Sequence, residues 1–469
     1  MNKAKQIQSE LINVSPVKSF FVSMLTRDIK LEDAILDLLD NCVDGILRSK
    51  RQNGTKPYEG CWANIKFDKD KFEISDNCGG IPWSLHNYAF QMGRSHDYEP
   101  DLVGNLGVYG IGMKRAIFKI GRYCLISTRN GNDQYEIEIP LTWFAKEKES
   151  DWNLPVRNAK RSLEEEGTTI VVRNLNPGIT ERFSEGAETF KTDLERLVST
   201  NYAYIIEKGF EVKINGNPVK PRTTKLVFDS RELAGIRPYI FKTTSNGVEV
   251  FLTVGFTRPI PSQAEILDEQ ESKKYSSIDA GWTVLCNDRA VLYCDRSEMT
   301  GWGEAGVPRY HTQFIAISGI VEFCSNDASK LPTTTTKRGI DASSPLYLQI
   351  KNKMREGMRF FTNYTNKWKG REDESRRQIE EGARLSLIEI KAESERLPFN
   401  VTTRSVPPGD QYKPKLPLPP VIEPAKRRIS FVREVYRIRK VAEFFGDPDM
   451  EPMDVGENCF DAIYEEARK

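Results

Sequence analysis

Hydrophobic residues recur at helical spacing between Leu31 and Leu47. Seven of them fall on one stripe: Leu31, Ile35, Leu38, Leu39, Cys42, Val43 and Ile46. The pattern predicts an amphipathic helix. Asp37, Asn41 and Asp44 lie at i, i+4 and i+7, so that helix carries them together on another face. This polar face is either simply solvated or used for chemistry. Asn is a mediocre helix former, so its position in the middle of a helix favours a functional role.

Elsewhere the pattern separates into strand-rich and helix-rich blocks. Alternating residues predict strands over 63–67, 71–75, 123–128, 135–139 and 168–173, and an amphipathic stretch over 113–120 predicts a helix. Residues 188–220 indicate a helix and a hairpin with an Asn215-Gly216 turn, and 230–345 are rich in strands. Because the two kinds of block segregate, we expect an α+β fold and not a doubly wound sheet.

The remainder of the chain is helical, then proline-rich. Residues 345–397 are charged and helical, 402–426 are dense in proline, and beyond them we expect a strand at 429–436 and helices at 441–445 and 455–467. The sequence therefore divides into an N-terminal arm (1–30), a first domain (31–228), a second domain (229–360), a charged helical segment (361–400), a linker (401–428) and a small C-terminal module (429–469).

A glycine pair follows the strand predicted at 71–75, in the sequence Asp76-Asn-Cys78-Gly79-Gly80-Ile81. Two adjacent glycines permit positive φ and let the backbone approach a ligand closely. Asp76, at the strand end, could accept a hydrogen bond from an exocyclic amine. Alone, such a motif is most often only a turn.

A second glycine motif, Gly107-x-x-Gly110-x-Gly112, opens the helix predicted at 113–120. Free N–H groups at a helix N-terminus form an anion cradle, and Lys114 and Arg115 add positive charge. The spacing is neither that of the dinucleotide fingerprint nor that of a Walker loop. On the first helix, Asn41 could bind Mg²⁺ through its amide oxygen, and Asp37 could orient or deprotonate an attacking water.

Taken together and in this order, the motifs resemble those of the GHKL ATPases, with the Bergerat-type two-layer α/β sandwich, and are most similar to the MORC and heat-shock-chaperone branch. The resemblance implies ATP and Mg²⁺ as cofactors. It implies Asn41 as the Mg²⁺ ligand, Asp76 as the partner of the adenine amino group, Gly80 and Ile81 as lining of the adenine pocket, and Thr168 as support for Asp76.

For the phosphates, the resemblance implies that Gly107, Gly110 and Gly112 wrap them, with Met113, Lys114 and Asp44 also in the nucleotide site. Residues 91–106 would form a mobile lid. The resemblance also implies a nucleotide-dependent homodimer, in which N-terminal arms often exchange between protomers. Phe20 and Phe21 are plausible anchors, although an arm packed on its own domain fits equally well.

Two positions depart from the family pattern. The usual general base is Glu, whereas this chain has Asp37, one methylene shorter. The first glycine of the usual Asp-x-Gly-x-Gly is Cys78. These departures keep open an alternative to hydrolysis, a non-catalytic nucleotide-binding scaffold that assembles with protein partners.

Downstream, residues 281–341 resemble the transducer domain of such ATPases, whose loop sends a basic residue to the γ-phosphate. Leu331-Pro332-Thr-Thr-Thr-Thr-Lys337-Arg338 is similar to the family's Pro-Thr-x-x-Lys loop. The resemblance makes Lys337 the candidate catalytic cation, with Arg338 as substitute. An exposed loop lysine is the alternative.

Composition narrows the classes of function only a little. The 469 residues carry a net charge of +1, so overall charge indicates no partner; DNA or a protein remains possible. Eight dispersed cysteines without a Cys-x-x-Cys pair indicate reduced thiols, and three scattered histidines suit neither a zinc site nor a histidine kinase. Without an apolar run of 18 residues or a signal peptide, we expect a cytoplasmic protein, or a nucleoid-associated one if it acts on DNA, with no membrane contact.

Overall fold

The computed structural model describes residues 17–49, 54–93, 110–145, 151–160, 162–230, 235–272, 279–334, 337–403, 407–419 and 427–468. The chain forms two compact units, residues 1–419 and 420–469. Among the described helices, none combines the length and apolar character needed to cross a membrane.

An eight-stranded sheet organises the first part of the larger unit, with strand order β5-β4-β3-β6-β2-β1-β7-β8. Its strands are β1 (Trp62–Phe67), β2 (Lys71–Asp76), β3 (Gly121–Asn130), β4 (Asp133–Ile139), β5 (Val156–Asn158), β6 (Gly167–Leu175), β7 (Glu211–Ile214) and β8 (Asn217–Pro218). All pairings are antiparallel except β1 with β7. The five predicted strands are present as β1, β2, β3, β4 and β6, each extended by one to four residues.

Helices form the second layer of this part. They are α1 (Lys18–Arg27), α2 (Leu31–Ser49), α3 (His86–Phe90), α4 (Gly112–Ile120), α5 (Pro177–Phe183), α6 (Ala187–Asn201) and α7 (Ala203–Glu207). The apolar stripe of α2 is buried in a core shared with α4, α6 and the sheet, because a two-layer fold must cover one face of the sheet. The α+β prediction is confirmed.

The described portion of the N-terminal arm packs on its own chain. Lys18 donates to the carbonyl of Trp143 at 2.8 Å, and Phe21 meets Trp152 edge-on with ring centroids 5.6 Å apart. Phe20 is exposed. Arm exchange through residues 1–16 lies outside the described residues.

A seven-stranded sheet, ordered β13-β12-β14-β11-β10-β17-β16, and a two-stranded sheet, β15-β9, organise the rest of the larger unit. Their strands are β9 (Leu226–Phe228), β10 (Tyr239–Ser245), β11 (Val248–Phe256), β12 (Gly281–Cys286), β13 (Arg289–Asp295), β14 (Ile317–Cys324), β15 (Ala383–Leu385), β16 (Asn400–Thr402) and β17 (Gly409–Tyr412). The accompanying helices are α8 (Gln263–Ser272), α9 (Pro345–Lys367), α10 (Glu372–Glu380) and α11 (Leu387–Ser394). The structure thus places β17 inside the segment interpreted as a linker, where it pairs with β10.

In the smaller unit, residues 427–468 are described and form two helices, α12 (Val435–Phe444) and α13 (Pro452–Ala467). The strand predicted at 429–436 is wrong: residues 427–434 have no regular structure and α12 begins at Val435. The described residues of this unit, 427–468, contain no strand that could pair with that apolar run in a β ladder.

Candidate functional site

Helix α2 carries a row of four aspartates at i, i+4, i+7 and i+11: Asp33, Asp37, Asp40 and Asp44. Ion pairs with cations from other elements hold Asp33, Asp37 and Asp40. Asp33 pairs with Arg338, Asp37 with Arg115, and Asp40 with both Arg289 and Lys337. Of the predicted polar face, Asp37 and Asp44 are buried, whereas Asn41 is exposed.

A cavity of about 400 Å³ lies between α2, α4 and the end of β2. Its walls include twelve of the candidate residues: Asp37, Asn41, Asp44, Asp76, Gly80, Ile81, Gly110, Gly112, Met113, Lys114, Thr168 and Lys337. Gly107 and residues 94–106 of the expected lid lie outside the described residues. The structure therefore brings the dispersed motifs to one place, while their roles stay predictions.

At one end of the cavity, Asp76 is held by backbone donors. Its Oδ1 accepts from the N–H of Cys78 at 2.8 Å and of Thr168 at 3.3 Å. Among the described residues, the donor to its Oδ2 is the weak thiol of Cys42, at 3.5 Å. Burial raises the pKa of Asp76, against these hydrogen bonds and the charge of Arg48. One carboxylate oxygen is thus fixed, and the other can accept from a stronger N–H donor.

Hydrogen bonds from neighbouring elements fix the loop that follows Asp76 at Gly80 and Ile81. Arg48 donates to the Gly80 carbonyl at 2.6 Å, and Tyr135 donates to the Ile81 carbonyl at 3.0 Å. The Ile81 N–H donates to the hydroxyl of Thr128 at 2.8 Å, which also lies 3.2 Å from the Thr168 hydroxyl. This end of the cavity is consequently pre-organised before any ligand arrives.

Glycine is required at position 80. Its φ is +64°, and a Cβ there would lie 2.0 Å from the carbonyl oxygen of Arg129. Gly45, which follows Asp44 on α2, is required for contact: its Cβ would lie 2.5 Å from the carbonyl oxygen of Cys78. The helix can therefore approach the loop closely enough to form the cavity wall.

The opposite end is charged. Gly110, with φ of +67°, turns the chain into α4, whose first residue is Gly112. Lys114 is buried and donates to the carbonyl of Ala89 at 2.8 Å, whereas Arg115 pairs with Asp37 Oδ2 at 2.5 Å. Both cations predicted for this turn are near the cavity, and each already has a partner in the chain.

Lys337 lies at the same charged end of the cavity. It belongs to the second part of the larger unit, which follows the eight-stranded sheet in the chain. Its Nζ lies 2.9 Å from Asp40 Oδ2, and its side chain is only 16% exposed. The alternative of an exposed loop lysine is therefore wrong. Arg338, the proposed substitute, pairs with Asp33 and is not among the residues that line the cavity.

The residues present fit a Mg²⁺ ion bound with a nucleotide. Asn41 is exposed at the cavity wall, and within the described residues its carboxamide forms no hydrogen bond. Mg²⁺ commonly takes one or two protein oxygens and completes its octahedron with phosphate oxygens and waters. No group of three or more His, Cys, Asp or Glu side chains in the described ranges could hold a metal, so the fit rests on Asn41 together with phosphate.

Several residues that shape the cavity were not predicted: Arg48, Thr128, Tyr135, Asp40 and Arg289. Asp40 left a signal in the sequence, because it stands beside Leu39 and one helical turn from Leu36 and Val43, near the apolar stripe of α2. A carboxylate so close to a buried stripe needs a cation. The identity of that cation has no local signal.

The α+β fold thus carries a cavity whose polar and charged lining is suited to a nucleotide. Residues 29–169, less than one third of the chain, match a family described as "Histidine kinase-, DNA gyrase B-, and HSP90-like ATPase". The match supports placing this segment in the GHKL superfamily and supports ATP binding. No curated protein matches the chain.

Proposed function

We propose that this chain binds Mg·ATP in the cavity between α2 and α4 and hydrolyses it. The observation that supports the proposal most strongly is the convergence of the described candidate residues on one cavity. In this proposal Asp76 accepts from the adenine amino group while Gly80 and Ile81 contact the base. Gly107, Gly110, Gly112, Met113 and Lys114 surround the phosphates, Asn41 binds the Mg²⁺, and Asp44 lies beside it on α2.

Hydrolysis would use Asp37 and Lys337. Asp37 lies one helical turn before Asn41, so it can orient a water next to a metal-bound phosphate. Lys337 supplies a positive charge where the terminal phosphate gains negative charge in the transition state. A bound Mg²⁺ would neutralise phosphate charge and polarise the phosphoryl group.

The proposed cycle has two further steps. Residues 91–106 close over the nucleotide as a lid, and two chains dimerise when nucleotide is bound. The chain would then be a clamp or conformational switch acting on DNA or on a protein. These steps rest on the resemblance alone, and the second part of the unit is proposed as the transducer because it carries Lys337 to the cavity.

One observation favours a second candidate function, the non-catalytic nucleotide-binding scaffold. Asp37 is ion-paired with Arg115 at 2.5 Å. A carboxylate that is neutralised in this way is a poor base for water. Nucleotide would then control assembly with protein partners without being consumed.

Turnover and binding measured together separate the two candidates. Steady-state phosphate release and calorimetric ATP binding are compared for the wild type and Asp37→Asn. We expect hydrolysis in the wild type, a loss of at least about 100-fold in kcat in the variant, and retained ATP affinity. Binding without hydrolysis in both proteins would favour the scaffold, and no binding to either would refute the proposal.

A further inference from the structure

The pair formed by Asp40 and Lys337 joins α2 to a segment almost 300 residues later in the chain. Asp40 is completely buried, and its two oxygens have separate partners. Oδ2 accepts from Lys337 Nζ at 2.9 Å, whereas Oδ1 accepts from Arg289 Nε at 2.6 Å and from the Tyr202 hydroxyl at 2.5 Å. Arg289 and Tyr202 thus fix Oδ1 of the carboxylate, while Oδ2 binds the ammonium of Lys337.

Arg289 donates hydrogen bonds to both Asp40 and Lys337. Besides Asp40, it donates through Nη1 to the carbonyl oxygen of Lys337 at 3.1 Å. Lys337 itself has φ of +54°, a conformation that is unfavourable for a residue with a side chain. The surrounding contacts therefore fix the backbone of Lys337 as well as its ammonium group.

We infer that Asp40 is a positioning residue that sets the ammonium of Lys337 at the cavity wall for recognition of the terminal phosphate of ATP. Within the described residues, Asp40 accepts from one of the three N–H donors of this ammonium, so the other two can be directed to a phosphate. Arg289 and Tyr202 keep Asp40 in place when the ammonium turns toward its ligand. The inference rests on the proposed function.

A neighbouring ion pair shows what a purely structural contact looks like here. Asp33 and Arg338 also join α2 to the same loop, but neither lines the cavity. Asp40 differs because its cation is a wall residue, and because the next residue on the helix is Asn41, which also faces the cavity. Asp33, the first aspartate of the same row, is therefore a matched control.

The test compares ATP and ADP affinity, because only ATP has the terminal phosphate. Dissociation constants for both nucleotides with Mg²⁺, and kcat, are measured on the full chain for the wild type, Lys337→Met, Asp40→Asn, their combination and Asp33→Asn. Hydrogen bonds to charged groups predict that Lys337→Met and Asp40→Asn each reduce the preference for ATP over ADP by roughly tenfold. ADP affinity should change by less than about twofold, and the combination should lose no more than either variant.

Several results would overturn the inference. They are an unchanged ATP preference in Asp40→Asn, equal losses for ATP and ADP, additive losses in the double variant, or the same loss in Asp33→Asn. Should Asp40→Asn not fold because Arg289 is left buried without its counter-ion, Tyr202→Phe decides. That variant removes one hydrogen bond to Asp40 and should reduce ATP preference about threefold, with no change counting against the inference. A wild type that binds neither nucleotide refutes the proposed function itself, whereas normal ATP preference in the variants refutes only the role of Asp40.

Discussion

The two ends of the cavity are built from different interactions. Around Asp76, Gly80 and Ile81, most contacts are hydrogen bonds to backbone groups, and the described donor to one carboxylate oxygen is a weak thiol. Around Asp37 and Lys337, charged side chains of the chain neutralise one another. The first end is ready for its ligand, and the second is satisfied without one.

This difference suggests a division of labour. A ligand adds a hydrogen bond at the end containing Asp76 without displacing another group, so that end supplies selectivity for the base. At the end containing Asp37, a triphosphate has to share or displace existing ion pairs. A ligand that interacts differently with two arrangements shifts the balance between them, so this end is suited to report which nucleotide is bound.

The largest expected effect is on stability, at the pre-organised end. Gly80→Ala should lower the free energy of unfolding by about 3–4 kcal/mol, because the φ is left-handed and the new Cβ would overlap the Arg129 carbonyl. Gly131→Ala is the control: its φ is +56°, but its Cβ would meet open space, so about 1 kcal/mol is expected from the backbone alone. Urea unfolding measures both, and equal losses would show that close packing at Gly80 is unimportant.

Asp76→Asn tests the same end through binding. An amide cannot offer two acceptor oxygens, so ATP and ADP should both bind roughly 100-fold more weakly in calorimetry. Glu73→Gln, on the same strand but outside the cavity wall, should bind normally. Retained affinity in Asp76→Asn would remove Asp76 from the site.

The same substitution should stabilise the fold. Burial raises the pKa of Asp76 in the folded state, so the folded protein holds that proton more tightly than the unfolded chain does. The contribution is favourable below the ordinary Asp pKa and is lost as pH rises through the raised value. At pH 7 the ionised carboxylate therefore costs stability that the amide avoids. Thermal unfolding should give Asp76→Asn the higher Tm at pH 7 and a smaller advantage near pH 4; a lower Tm at pH 7 would contradict this.

These two ends also differ in how far the sequence predicts them. The strand, the glycine pair and Asp76 are contiguous, so their placement follows from local pattern. The stripe and polar face of α2 follow from helical periodicity. The cation partners do not, because Arg289 lies 249 residues from Asp40 and ion pairing of that kind leaves no periodic trace. The hydrogen bond between Ile81 and Thr128 depends on strand register, which the alternation of residues within each strand does not specify.

A moderate effect is expected at the charged end. Arg115→Gln removes the partner of Asp37 and should raise kcat about fivefold, with KM for ATP changed less than about threefold. Arg115→Lys keeps a positive charge beside Asp37 and should remain close to the wild type. A fall in kcat together with a rise in KM would instead make Arg115 a ligand of the phosphates, and the contrast between the two ends would weaken.

The smallest expected effect tests whether the hydrogen bonds that fix Ile81, at the end of the cavity containing Asp76, contribute to nucleotide binding. Tyr135→Phe removes only the hydrogen bond to the Ile81 carbonyl, while Thr128 still holds the Ile81 N–H. We expect ATP and ADP to bind about threefold more weakly, to the same extent, since one neutral hydrogen bond contributes roughly 1 kcal/mol and part of the order remains. Tyr123→Phe, whose hydroxyl bonds Glu138 on β4, should leave both affinities unchanged. An effect on ATP alone would mean that Ile81 responds to the phosphates, and the two ends would then be coupled and not independent.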